Sequence, residues 1–145
     1  PNQVNEVRYM TMEEQQKEYA ARFAALPDDF DRYTLLMQLA MESPGLPEEE
    51  KGEGSRFPGC RSNLWYRLEE GDCLRLLTDS DTLIVKGLAS LLSNLVTGRT
   101  PAEVVKAEIT LFDTLQIEVA LTPERREGFA QLVAFVQRRA GELAG

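Results

Sequence analysis

"NLWYRLEEGDCLRLLTDSDTLIVKGLASLLSNLV", Asn63 to Val96, carries two hydrophobic periods in succession. In its first part Leu64, Tyr66 and Leu68 alternate with Trp65 and Arg67, the period of a half-buried strand. "EEGD", Glu69 to Asp72, is turn chemistry, and Cys73 to Thr78 reads as the return strand of a hairpin. "TDSD", Thr78 to Asp81, then sets four residues able to cap a helix ahead of an apolar run. In that run Ile84, Leu88, Leu91, Leu92 and Leu95 fall on one helical face, which Val85, Ala89 and Val96 widen. The stretch predicts an antiparallel hairpin feeding directly into the most buried helix of the fold.

Working outward, the flanks are helical. Upstream, beyond a polar N-terminal arm, Thr11 and Glu14 form a capping box, and Tyr19, Phe23 and Leu26 mark one face of a first helix. Pro27-Asp28-Asp29 restarts the pattern, with Phe30, Tyr33, Leu36, Met37 and Ala40 as the core face of a second. "SPGLPEEEKGEGS", Ser43 to Ser55, lacks periodicity and reads as a mobile loop, with Glu48 to Glu50 solvated. Downstream, Gly98 stops the buried helix, and Thr100-Pro101-Ala102-Glu103 caps a short one. Another is predicted around Leu111 to Ile117. Thr122-Pro123 opens the last helix, with Phe129, Leu132, Val133, Val136, Ala140 and Leu143 facing the core. The expected class is α+β: one domain over residues 1–145, a small antiparallel sheet covered on one side by several helices.

The composition removes several functions. The chain has 145 residues, a net charge of −8 and no histidine. Without histidine, Ser-His-Asp and Cys-His catalysis and the usual zinc-enzyme ligand sets are absent, and neither metal nor cofactor is implied. The acidic balance repels phosphate backbones and suits a basic partner rather than nucleic acid. No apolar run approaches membrane-spanning length, and the polar, acidic first eighteen residues do not look like a secretory signal. A cytoplasmic protein is expected, with Cys60 and Cys73 as free thiols.

Cys60 is the residue with chemical interest. In "RFPGCRSNLW", Arg56 to Trp65, it follows a Pro-Gly pair that sets a bend. Free cysteine is usually a buried small hydrophobe, which favours an inert residue. Against that, Gly59 lets another backbone approach the sulfur, and the adjacent Arg61 would favour thiolate. On the residues alone the two readings come out even. Cys73, set among the leucines of the hairpin, reads as inert packing. "TDSD" reads as capping, and Lys86 as an apolar stem with a solvated head. Arg125 opposes the dipole of its helix, which fits service to a contact, although a surface arginine needs no such reason.

Four motifs then occur in order: "GCRSNLW" (Gly59 to Trp65), "DSDTLIVKGL" (Asp79 to Leu88), "TGRTPAEV" (Thr97 to Val104) and "LTPERREGF" (Leu121 to Phe129). Together they resemble the SufE-like sulfur acceptors over nearly the whole chain. Leu64, where valine is commoner, Gln116 for a frequent glycine and Ala120 for a frequent histidine depart from that pattern. The resemblance implies that Cys60 accepts persulfide sulfur from a pyridoxal-phosphate cysteine desulfurase, stimulates that enzyme, and passes the sulfur to an iron–sulfur scaffold. It also implies that Asp79, Asp81, Lys86 and Arg125 lie near the acceptor loop or the desulfurase contact. Such a protein is a carrier rather than a stand-alone enzyme. Thiol exchange needs little beyond an accessible thiolate, so a chain without histidine can perform it. Two other readings stay open: a docking module with a structural Cys60, and a redox sensor using Cys60 with Cys73.

Overall fold

The computed structural model describes residues 10–145; the polar arm ahead of Met10 lies outside them. Six α-helices and one two-stranded antiparallel sheet make up the described residues, an α+β fold. Helix α1 (Met12–Ala24) starts on the Thr11–Glu14 capping box, in which each side chain accepts the other's backbone N–H. Helix α2 (Asp29–Glu42) is capped by Asp28 and buries Leu35, Leu36, Leu39 and Ala40. Its core face is therefore rotated from the expected one. Leu36 and Ala40 are inside, but Phe30 in the first turn is 77% exposed.

Residues 43–55, expected to be a mobile loop, fold into two 3-10 turns, Glu48–Glu50 and Glu53–Ser55. Buried Leu46 and the ion pairs of Lys51 tie this segment down, and neither feature has a period to reveal it.

The hairpin pairs β1 (Leu64–Glu69) with β2 (Arg75–Ser80), Leu64 opposite Ser80 and Leu68 opposite Leu76. The return strand thus runs two residues later than the sequence suggests, and Cys73 falls in the turn, exposed rather than packed. For the same reason Thr78, Asp79 and Ser80 are buried strand residues, not caps. The helix that follows begins at N-cap Thr82 without a side-chain capping bond. Strand alternation places Leu64, Tyr66, Leu76 and Thr78 on one face. There Tyr66 meets Phe57 and Phe135, with ring centroids 6.2 and 5.2 Å away.

Helix α3 (Leu83–Val96) buries nine of its fourteen residues and is the central element, as its all-round hydrophobicity predicts. It also shields the outer edge of β2: the Leu76 N–H donates to Thr97 Oγ1 at 3.0 Å, and Ser93 donates to the Leu76 carbonyl. Edge groups left open would recruit another strand. Helices α4 (Pro101–Lys106) and α5 (Leu111–Thr114) lead to α6 (Pro123–Ala144), with α5 shorter than expected. Gln137 on α6 holds the end of α4 by donating to the carbonyls of Val104 and Ala107. Phe112 stacks on Phe129 at 4.6 Å. Leu143, expected in the core, is 39% exposed at the last turn of α6.

Candidate functional site

The segment before β1 closes on itself. The Phe57 N–H donates to the Leu64 carbonyl at 2.7 Å, and Arg56 forms an isolated antiparallel bridge with Trp65. Between these joined ends the chain must turn, and Pro58-Gly59 supplies the turn, so Cys60 lies at the tip. Arg56 braces the loop from within. Its Nε donates to Asn63 Oδ1 at 2.9 Å, and its Nη2 reaches the Cys60 carbonyl at 3.5 Å. Asn63 in turn donates to Asp81 Oδ2 at 2.8 Å, and its carbonyl accepts from Ser80 Oγ at 2.6 Å. Asp81 thus acts on the loop through Asn63.

The loop lies flat on α6. A Cβ on Gly128 would sit 3.0 Å from Cys60 Sγ and 3.2 Å from the Gly59 carbonyl oxygen. One on Gly59 would sit 2.5 Å from Gln131 Oε1 and 2.7 Å from Phe57 Cε2. The close approach of helix to loop is made at Gly128, whereas Gly59 is crowded by the side chains of Gln131 and Phe57 and not, as its position suggested, by another backbone. Beside the sulfur is a cavity of about 230 Å³, lined by Cys60 and Ser62 from the loop, Val85 from α3, and Thr122, Arg125 and Phe129 around the start of α6. Arg125 lies in the first turn of α6. Its Nη1 donates to the Ala120 carbonyl at 2.9 Å, and the residue lines the cavity.

The electrostatics differ from the sequence reading. Arg61 is 84% exposed in its side chain and pairs with Glu124 at 3.1 Å. The cation that acts on the thiol is Arg56, four residues away in sequence. Burial dominates and pushes the Cys60 thiol above its ordinary value, with Arg56 only partly offsetting it. Cys60 is half-buried, and its burial favours the thiol over the thiolate. One expected result follows. The rate of Cys60 alkylation should climb with pH along a curve displaced to the alkaline side of the same protein unfolded in urea. Superimposed curves would show that burial does not govern this thiol.

The remaining expected residues form a separate group. Asp79 is 3% exposed and accepts from the N–H groups of Leu46 and Ser80 at 2.9 and 2.8 Å. It also pairs with Lys51 at 3.2 Å and Lys86 at 3.3 Å. Lys86 thus has a counter-ion in place of the solvated head expected of it, and Lys51 further lies 5.7 Å from the Trp65 ring centroid. This ion cluster pins residues 43–55 to β2 and α3.

Cys73, in the hairpin turn, is at the far end of the strands from Cys60. The intervening six-residue strand spans roughly 20 Å, against about 6 Å between the Cα atoms of a disulfide. That separation removes Cys73 as a resolving partner. Among the described residues no group of three or more His, Cys, Asp or Glu side chains could hold a metal ion. No helix there is long and apolar enough to cross a membrane.

Arg56, Asn63 and Gly128 were not singled out by sequence. Only Gly128 left a signal, an isolated glycine within a helical pattern.

Fold and site together define a small α+β protein with one half-buried thiol at the tip of a braced loop. Residues 17–140 match the model of SufE, the Fe-S metabolism associated domain, and the chain belongs to that family. Over 113 residues it is 33% identical to the sulfur acceptor protein CsdE of Escherichia coli (strain K12), a match spanning 76% of this chain and 77% of that one. A solution structure of a hypothetical protein from Thermus thermophilus superposes with a TM-score of 0.71 at 22% identity. It covers 90% of this chain and 96% of that chain, a likeness of fold.

Proposed function

We propose that the protein is a sulfur acceptor of iron–sulfur metabolism. In this reading Cys60 takes sulfane sulfur from the persulfide of a pyridoxal-phosphate cysteine desulfurase and passes it toward cluster assembly. The observation that carries the reading is the position of Cys60, at the tip of a loop closed at both ends and bordered by a cavity. Family membership and the similarity to a sulfur acceptor protein support it.

The chemistry is thiol exchange. Cys60 thiolate attacks the outer sulfur of the desulfurase persulfide, a new S–S bond forms on Cys60, and the old one breaks. The desulfurase cysteine leaves as thiolate. No electrons are gained or lost overall, and the proton given up by Cys60 is balanced by the one the leaving thiolate can take. Removing the sulfur returns the desulfurase to its reactive state, which is how an acceptor stimulates it. A second exchange, onto the thiolate of an iron–sulfur scaffold complex, restores Cys60.

Attack along the S–S axis needs the sulfur uncovered, so the loop must lift from α6 when the desulfurase binds. Arg61 and Glu124, exposed at the cavity mouth, Arg125 in the cavity lining, and Gly59 and Asp81, which support the loop, are the residues this reading assigns to partner contact or loop support. Asp79 and Lys86 support the surrounding frame.

The test is intact-protein mass spectrometry after incubation with a desulfurase and L-cysteine, beside Cys60→Ser. The expected result is a gain of one sulfur atom, removable by dithiothreitol, on wild type alone. An equal gain on the serine variant, or a Cys60 that transfers no sulfur although alkylation shows it reactive, overturns the reading. Retained partner binding with no transfer by wild type would instead favour a docking module.

A further inference from the structure

Helix α2 carries an apolar stripe on its solvent side. Phe30 is 77% exposed and Met41 81%, the two highest values among the large apolar side chains described. Residues 30, 34, 37 and 41 recur at helical spacing, so Phe30, Thr34, half-buried Met37 and Met41 share one face. Leu35, Leu36, Leu39 and Ala40 turn toward the core. Asp31, Gln38 and Glu42 run alongside the stripe by the same spacing, and Asp28 and Asp29 stand at its N-terminal end. The one cation on this helix, Arg32, points inward. It donates to the carbonyls of Phe23 and Leu26 at 3.1 and 2.9 Å and pairs with Asp29 at 3.4 Å. The solvent side of the helix thus presents Phe30 and Met41 on either side of Thr34, with the carboxylates of Asp29, Asp31 and Glu42 beside them.

Its place in the fold matters. Gly87 on α3 backs onto α2, where a Cβ would lie 2.4 Å from the Leu36 carbonyl oxygen. Val85, two residues earlier on α3, lines the Cys60 cavity. Two residues along a helix is a rotation of about 200°, so α2 and Cys60 lie on opposite sides of α3.

We propose that the Phe30–Met41 stripe docks a protein partner through an amphipathic segment whose apolar side chains are flanked by lysines and arginines, and that it does so while Cys60 stays accessible. Charge selects the class of partner. A second copy would bring acidic border against acidic border on a chain of net charge −8. A basic amphipathic segment meets both features at once, and the flexible methionines suit an apolar contact that repacks around its guest. This surface does not depend on the sulfur-acceptor reading, whose own test is loading of Cys60.

The probe is a fluorescein-labelled amphipathic leucine–lysine peptide, compared with a shuffled peptide of equal composition and no apolar face. Anisotropy titrations use the full chain and Phe30→Ser/Met41→Ser, whose substitutions are exposed and whose Tm is checked. The expected result is a wild-type preference for the amphipathic peptide on the order of tenfold, lost in the variant, with Cys60 alkylation equally fast with and without peptide. Equal binding of both peptides, a preference retained in the variant, protection of Cys60 by the peptide, or self-association in sedimentation that depends on Phe30 and Met41 each overturns the proposal.

Discussion

Alanine in place of Asp79 is expected to cost about 3–5 kcal/mol of folding stability, read by urea denaturation at neutral pH. The carboxylate is 3% exposed and is shared by four donors: the N–H groups of Leu46 and Ser80, and the ammonium groups of Lys51 and Lys86. Removing it strands two backbone donors in a dry place, takes from Lys86 its pairing carboxylate and leaves Lys51 only its pair with Glu48. Burial by itself would raise the acid's pKa. The two N–H bonds, with Lys51 and Lys86, outweigh it and hold Asp79 below the ordinary aspartate value of 3.8. A carboxylate lowered in the folded state stabilises fully above its unfolded pKa. That contribution is lost as pH falls through 3.8 and on through the folded value. Wild type should therefore shed stability over this acid range, and Asp79→Ala should lack that component. A loss below about 1 kcal/mol, or an unchanged acid limb, would mean that the cluster is no more than a surface ion pair.

The contrast between this cluster and the hairpin shows which features a sequence exposes. Leu64, Tyr66 and Leu68 are legible because alternation is a local consequence of one buried face. The apolar run of α3 and the Thr11–Glu14 and Thr100–Glu103 capping boxes are legible for similar reasons, each being complete within a few residues. "TDSD" misleads because the same short polar residues serve a cap or a buried polar strand. What decides between them is Leu46 and Lys51, some thirty residues away. Phe30 misleads because helical spacing fixes which residues share a face, while the rotation of that face is set by α3, where Gly87 admits Leu36.

At the site, the place of Cys60 at a bend was legible through its Pro-Gly pair. Its electrical environment was not. Arg61, beside it in sequence, reaches out to Glu124, whereas Arg56 is folded back under the loop by Asn63. Adjacency in an extended or turning chain sends neighbouring side chains apart, so the charge that matters is one the loop's closure brings round.

Valine at Gly128 is expected to expel the Cys60 loop while leaving the fold in place. The first added carbon would sit 3.0 Å from Sγ and 3.2 Å from the Gly59 carbonyl oxygen, and a valine brings two more. Helix α6 cannot retreat, because Phe129, Leu132, Val136 and Ala140 on the same helix are all at most 1% exposed in the core. The loop is the part that yields. Overpacking of this kind costs roughly 1–3 kcal/mol, and 2 kcal/mol is about a 30-fold change in an equilibrium. Here the equilibrium is that between the closed and lifted loop, so Cys60 alkylation should accelerate by about that order. Its pH curve should move toward the unfolded reference, since burial is what raises the thiol. On the proposed function, sulfur loading by a desulfurase would also be freed from loop opening, and a persulfide on Cys60 would be stripped faster by added thiol. Stopped alkylation followed by mass spectrometry, with Cys73 as the internal exposed thiol, measures both effects. If the valine variant keeps the wild-type rate at unchanged Tm, the loop does not seal against α6, and the protection of Cys60 must come from the closed ends of the loop itself.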